Sequence, residues 1–235
     1  MNTVPEIMTE LQALGSANIK AILVKHGVKE PFFGVKIGDM KPIEKRIKKD
    51  YQLAKDLYAT GNADAMYLAG LIADDLRMSK TDLQAWAEQA VSDNIAGYTV
   101  PWVAAGSNYG FELALQWIDS PQEHIAAAGW STLSNLVALK PDSELDIKLL
   151  RSLLERVEQT IHGSANRIRS IMNTFVIALG TYVSALTGDA ITAAKNIGVV
   201  TVIKEGTSCK VPDAAEYINK ALSRGPVKKK KTVKC

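Results

Sequence analysis

Cysteine is scarce in this sequence, with two residues among 235. Cys209 and Cys235 cannot build a disulfide framework, so we expect a reduced, cytoplasmic protein. Long apolar runs are also missing, since none reaches the roughly 18 residues that span a membrane. The opening stretch MNTVPEIMTELQ lacks the basic and apolar regions of a secretory signal. These absences predict that a membrane is not a partner.

Motifs for metals, nucleotides and nucleophilic catalysis are absent as well. The three histidines and two cysteines are scattered and show no metal-ligand spacing. Neither a G-x-x-x-x-G-K-[ST] loop nor a G-x-G-x-x-G loop occurs, and no sequence-local triad is present. We therefore expect no bound metal and no cofactor.

Positive charge is concentrated at the two ends of the chain. Residues 1–49 hold nine Lys/Arg against five Asp/Glu, and residues 224–235 hold six cations and no acid. Residues 50–223 carry a net charge of −7, although the whole chain carries +3. A polyanionic partner would therefore meet the two basic ends first.

Apolar residues recur at steps of three and four along most of the sequence, which is typical of amphipathic helices. Helix starts are marked by Thr3, by Asn62 and by Asp213, and Asp39 is a candidate cap for a basic helix. One short segment, 199–206, has the composition of a strand that could pair only locally.

Eleven or twelve short helices in one chain need a regular arrangement. Segments pair with a period near 40 residues, which indicates an all-α, HEAT-like superhelix of about six helix pairs. We expect a single helical-repeat domain over 1–223 and a disordered basic tail over 224–235. An irregular helical bundle is the alternative architecture.

The stretch FFGVKIGDMKPIEKRIKK resembles an N-terminal signature of the AlkD-like DNA alkylation repair family, in which an aromatic-Gly-Val turn precedes a basic helix. The later segments ADAMYLAGLIAD, ALQWIDSPQEHIAAAGWSTL and SANRIRSIMNTFVIALGTY follow the same helix-packing rhythm. The ending KVPDAAEYINKALSRGPVKKKKTVKC is similar to that of a subgroup. The resemblance covers nearly the whole chain and implies HEAT-like repeats with duplex DNA on a concave face.

The resemblance also implies glycosylase chemistry on alkylated purines, with an aromatic and an Asp four residues apart and an Arg that holds the backbone. This sequence departs from that pattern. Four residues after its tryptophans stand Ala90, Gly106, Pro121 and Ser134. Three alanines, 126–128, stand where the Arg is expected, and Asn173 lies in the stretch where a later Trp is expected. Asp93 is the one carboxylate in the relevant stretch and is a weak catalytic candidate.

Cations that could contact DNA phosphates fall into three groups. The predicted basic helix carries Lys41, Lys45, Arg46, Lys48 and Lys49, the tail carries Lys228, Lys229, Lys230 and Lys231, and a later helix start carries Arg167 and Arg169. Backbone N–H groups at a helix start also favour phosphate. The alternative for each group is a solvated surface.

Tyr98, Trp102, Trp130 and Asn173 fall where a family cleft would lie. Aromatic residues at helical spacing also serve as core residues, so that interpretation stays open.

Together these features predict a DNA alkylation repair enzyme-like protein. It would bind duplex DNA electrostatically through its concave face and basic ends, with weak or absent glycosylase activity on alkylated purines. The alternative is a non-enzymatic HEAT-repeat scaffold whose groove binds a protein or peptide partner, which the acidic middle of the chain favours.

Overall fold

Helices form all the regular secondary structure in the computed structural model, which describes residues 2–90, 92–203 and 211–234. Thirteen α-helices and no strand occur within those ranges, so the predicted all-α fold class is confirmed. The chain divides into two compact units, Met1–Tyr109 with Lys234–Cys235, and Gly110–Val233. That residues 1–223 act as a single domain stays a prediction.

The first unit is built around a helix that is buried on every side. Its α-helices are α1 (Val4–Leu14), α2 (Ala17–Lys25), α3 (Ile37–Ile47), α4 (Tyr51–Tyr58), α5 (Ala63–Ile72), α6 (Lys80–Gln89) and α7 (Val100–Gly106). All ten residues of α5 are buried, as expected of a helix that is apolar all round. Asn62 caps α5 by accepting hydrogen bonds from the N–H groups of Asp64 and Ala65, as the sequence predicted.

Aromatic stacking joins α4 to α6. The Tyr58 and Trp86 rings lie parallel with their centroids 3.9 Å apart, and the Tyr58 hydroxyl donates to the Trp86 carbonyl at 2.6 Å. Because Tyr58 is buried, this bond satisfies its one polar group.

The second unit is organised by its longest helices. Its α-helices are α8 (Gly110–Trp117), α9 (Glu123–Leu139), α10 (Ile147–Thr160), α11 (Asn166–Tyr182), α12 (Thr187–Ile197) and α13 (Ala214–Leu222). Helix α11 packs against α9, α12 and α13, and the Trp130 ring of α9 meets the Phe175 ring of α11 at 5.3 Å. Asp213 caps α13 by accepting from the Glu216 N–H, as predicted.

Two local predictions need correction. Helix α3 begins at Ile37, so Asp39 lies in its first turn, where its charge suits the helix dipole, and does not cap it. Residues 199–203 form no strand, and hydrogen bonds to side chains of α11 hold them instead. Residues 204–206 of the strand-like segment, and both cysteines, lie outside the described residues.

A polar cluster ties α4 to the start of α6. Asp82 accepts hydrogen bonds from the Tyr51 hydroxyl at 2.8 Å and from the Ser79 N–H at 3.1 Å, and its Oδ1 lies 2.6 Å from Lys55 Nζ. Desolvation alone would raise the pKa of Asp82. The hydrogen bonds from Lys55, Ser79 and Tyr51 outweigh desolvation and lower the pKa to about 2.

Asp82→Asn should lower the free energy of unfolding by about 1–2 kcal/mol at pH 7, because an ionised acceptor is lost. The pKa of Asp in an unfolded chain is about 3.9. The stabilisation by ionised Asp82 is therefore fully present above that pH. It is lost as pH falls through the folded pKa of about 2. Urea unfolding of both proteins at pH 7 and near pH 2 measures the change. Asp56→Asn on the exposed face of α4 is the matched control, and a gap that does not shrink in acid contradicts the assignment.

Gly106 ends α7 in direct contact with Asp75. A Cβ atom built on Gly106 would overlap Oδ2 of Asp75 and would lie 2.8 Å from its Cγ. Gly97, by contrast, has no atom within 4 Å of such a Cβ atom. The carboxylate of Asp75 thus occupies the space that a side chain at position 106 would need.

Gly106→Ala should therefore lower the midpoint of thermal unfolding, since overpacking costs about 1–3 kcal/mol. Gly97→Ala adds the same methyl group to open space and should leave the midpoint unchanged or raise it. Calorimetry measures the midpoint of thermal unfolding of the two variants. Equal midpoints would show that Asp75 moves aside without a cost in folding free energy.

Candidate nucleic-acid interface

Helix α3 and the two residues that follow it carry five cations, and acidic side chains neutralise three of them. Lys41 Nζ lies 2.9 Å from Glu44 Oε2, and Lys49 Nζ lies 3.8 Å from Asp74 Oδ1. Arg46 donates to both carboxylate oxygens of Glu10, at 3.2 and 2.6 Å, and to Asn2. The pairing with Glu10 raises the pKa of Arg46.

Lys45 and Lys48 differ from these three residues. Both are exposed, and neither forms an ion pair in the part of the chain that the structure describes. Lys48 follows the last turn of α3 with φ +65°, so its charge stands at the negative end of the helix. Ile43 and Ile47 of the same helix are buried, as helical spacing of apolar residues implies. The cations of α3 that are open to a phosphate are thus Lys45 and Lys48.

A buried carboxylate fixes the turn that leads into α3. Asp64 of α5 accepts hydrogen bonds from the N–H groups of Phe33 at 2.6 Å, Gly34 at 2.9 Å and Val35 at 3.3 Å. Gly34 has φ +85°, and a Cβ atom there would lie 2.7 Å from the Ser16 carbonyl oxygen, so only glycine fits. Burial raises the pKa of Asp64 although the three amides oppose that shift. The aromatic-Gly-Val turn is therefore held in place by hydrogen bonds to a side chain of α5.

Two lysines of the basic tail contact the second unit, while disorder of the free tail over 224–235 stays a prediction. Lys229 Nζ donates to the Val137 carbonyl and lies 2.8 Å from Asp142 Oδ1, and the Lys230 N–H donates to the Ala138 carbonyl at 2.8 Å. These carbonyls lie in the last turn of α9, where intrahelical donors run out. A helix end therefore binds the tail, a contact that composition alone does not reveal.

Lys234 ends the described tail in a buried ion pair of the first unit. Its Nζ donates to Asp75 Oδ1 at 2.6 Å and to the Ala73 carbonyl at 3.1 Å, and about 15% of each side chain in the pair is exposed. Burial raises the pKa of Asp75 and lowers the pKa of Lys234, and their attraction opposes both shifts. Sequence reasoning did not single out Lys234. Lys228, Lys230 and Lys231 remain exposed.

The start of α11 uses its polar groups within the protein. Arg167 donates its backbone N–H to Glu123 Oε1 at 3.2 Å, and Asn166 exchanges two hydrogen bonds with Ile203. The Arg169 side chain donates to the carbonyls of Ser164 and Thr201. A carboxylate already binds a helix-start amide here, so this group is a weaker phosphate candidate than the sequence indicated.

Three of the four predicted cleft residues belong to the core. Trp102, Trp130 and Asn173 are 3%, 1% and 2% exposed, and the Asn173 side chain donates to the Pro212 carbonyl. Tyr98 is 57% exposed and therefore differs from the other three residues.

The described residues that the sequence analysis compared with the family's catalytic pattern lie in packed or partly packed positions. Gly106 stands four residues after Trp102, and Asp75 fills the space beside it. Ala126, Ala127 and Ala128 are buried in α9. Asp93 is half-buried, and its carboxylate lies against Gly27, whose carbonyl accepts the Asp93 N–H at 3.2 Å.

Within the described ranges, His, Cys, Asp and Glu form no group of three that could hold a metal ion. No single described helix is both long and apolar enough to cross a membrane. One pair of helices, Asn166–Tyr182 with Ser184–Ile197, meets the criteria of length and composition together but is bent by 116°.

Comparison with known proteins connects these features to a family. A model of the family described as "DNA alkylation repair enzyme" matches residues 7–218. The uncharacterized protein Lin0241 of Listeria innocua is 34% identical over 230 residues, which are 95% of this chain and 99% of that protein. The uncharacterized protein Lmo0209 of Listeria monocytogenes is 32% identical over 237 residues, with the same coverage.

A solved structure matches this one over 100% of both chains, with a TM-score of 0.91 and 38% sequence identity. It is described as "a new family of proteins related to the HEAT-like repeat DNA glycosylases with affinity for branched DNA structures". The predicted HEAT-like fold and the suspected relationship are thereby confirmed. With a family match over most of its length, this chain belongs to the DNA alkylation repair enzyme family.

Proposed function

We propose that this protein binds DNA, and branched DNA in particular, with weak or absent glycosylase activity on alkylated purines. The observation that carries the proposal is the full-length match, at 38% identity, to a protein described as having affinity for branched DNA structures. A branched structure consists of duplex arms, so phosphate contacts to duplex DNA belong to the same binding mode.

Exposed cations support an electrostatic contact. No described carboxylate neutralises the charges of five exposed lysines. These are Lys45 on α3, Lys48 directly after it, and Lys228, Lys230 and Lys231 in the tail. Phosphate contacts of this kind position DNA without reading its sequence. They would therefore suit a protein that recognises the shape of DNA.

The side-chain pattern supports weak or absent catalysis. Stabilising an oxocarbenium-like sugar needs a positioned negative charge, and losing one such group costs about several kcal/mol. Position 106 has no space for a carboxylate, and Asp75, which fills that space, is already paired with Lys234. Asp93 remains the one residual candidate, as in the sequence analysis.

Lys45→Gln with Lys48→Gln should weaken binding to a four-way junction and to its duplex arms alike. Each phosphate contact contributes about −0.9 to the slope of log affinity against log salt, so the slope should flatten by roughly two units. Fluorescence anisotropy across a salt series measures the slope. Lys148→Gln with Lys195→Gln, two exposed lysines of the acidic middle, is the control with equal charge loss.

Identical slopes for the two double variants would show that α3 contributes net charge alone. If the unaltered protein binds neither junction nor duplex at low salt, the DNA proposal is wrong. The scaffold that binds a protein or peptide then becomes the better account.

Release of 7-methylguanine from alkylated duplex DNA should proceed close to the uncatalysed rate with the purified protein. The reason is that none of the four tryptophans is followed by an Asp four residues later. Chromatography of released bases checks this, with an active family member as the positive control. Robust release would instead make Asp93 the first residue to replace.

A further inference from the structure

We propose that Tyr98 is a stacking platform for an unpaired base at the branch point of DNA. This inference rests on the proposed function and assigns a residue that would separate branched DNA from plain duplex. Phosphate contacts cannot make that distinction by themselves, because both forms carry the same backbone. An unstacked base, in contrast, offers a π-face that aromatic side chains bind.

The backbone around Tyr98 has an uncommon conformation. Residues Ile95–Thr99 form a π-helix, closed by a hydrogen bond from the Val100 N–H to the Ile95 carbonyl. Such segments are rare and occur frequently at functional sites. Within this segment the Thr99 hydroxyl is fully buried and has no hydrogen-bond partner in the described part of the chain.

The π-helix has one buried face and one face that is exposed to solvent. Ile95, Ala96 and Thr99 are buried, whereas Gly97 is partly open and Tyr98 is 57% exposed. No atom lies within 4 Å of the position that a Cβ atom of Gly97 would take. Position 97, next to Tyr98, is thus not crowded by residues from other parts of the chain.

Buried aromatic rings support Tyr98 from below. Its ring centroid lies 6.0 Å from that of Trp102, which meets Tyr67 edge to face at 5.2 Å. Trp102 and Tyr67 are 3% and 5% exposed. Because the Tyr98 ring already packs against buried rings, it loses little further conformational entropy when it stacks on a ligand. A small entropy loss favours binding.

Cations surround the start of the same segment. The Asp93 carboxylate touches Gly27, and the Ser92 hydroxyl accepts the Lys29 N–H at 2.9 Å. These contacts place the loop after α2 beside the π-helix. Lys25 at the end of α2 and Lys29 in that loop are both exposed and form no ion pair among the described residues. Asp93 offsets part of this charge, so the surface is moderately basic, as an aromatic platform beside a phosphate backbone requires.

Tyr217 on α13 offers a matched control, since it is 54% exposed and lies in the second unit. We compare Tyr98→Phe, Tyr98→Leu, Tyr98→Ala and Tyr217→Ala on two probes. One is a three-way junction with 2-aminopurine at an unpaired branch-point position, and the other is a plain duplex of equal length.

Tyr98→Ala and Tyr98→Leu should each lose about 5- to 100-fold in junction affinity, the range of base–aromatic stacking. Duplex affinity and the salt slope should not change, because no phosphate contact is removed. Tyr98→Phe should retain junction binding, since it keeps the ring. Quenching of 2-aminopurine fluorescence on binding should disappear in the Ala and Leu variants and persist in Tyr217→Ala.

Three results would overturn the inference while leaving the proposed function intact. These are equal junction affinities for Tyr98→Ala and Tyr217→Ala, unaltered binding by Tyr98→Leu, or equal losses on junction and duplex. Failure of the unaltered protein to bind either probe would remove the proposed function and this inference together.

Discussion

The hydrogen bonds from three backbone amides to Asp64 are the contact on which the candidate interface depends. The carboxylate projects from α5, the wholly buried helix of the first unit, and it binds the turn over Phe33, Gly34 and Val35. A buried carboxylate without such donors would be costly, and buried amides without an acceptor would be costly too. Each therefore requires the other. Because α3 follows this turn directly, the contact between the turn and the core also sets the position of the lysines on α3.

Ion pairing, more than the number of cations, determines which positive charges of this protein are available to a phosphate. Arg46 is held by Glu10, Lys229 by Asp142 and Lys234 by Asp75. Such pairs add little stability where they are exposed, but they remove cations from the set that a phosphate can reach. The charges that remain open, among them Lys45 and Lys48, are fewer than the sequence suggests. The attraction to DNA that we propose would therefore be moderate and sensitive to salt.

The contact between Asp75 and Gly106 determines which charge is available beside α7. One carboxylate fills the space beside α7, lies against a residue that must stay small, and binds the ammonium group of Lys234. A buried acid in this position is neutralised by its own chain, so it has no free charge to offer a ligand. Because a fold does not fix the chemistry of its sites, this contact agrees with the DNA recognition and the weak or absent catalysis that we propose.

The sequence by itself determined the all-helical character of the chain and several of the helix starts. Asn62 and Asp213 cap helices where they were expected to, and Ile43 and Ile47 face the core because helical spacing places them on one side. Such signals act within a few residues, so they can be read locally. Only the tertiary structure decided which functional groups are available. Trp102 and Tyr98 lie four residues apart, yet one is buried and the other exposed, and Lys234 finds its partner 159 positions away in the chain. Burial and long-range pairing depend on which helices pack together, and no local pattern encodes that packing.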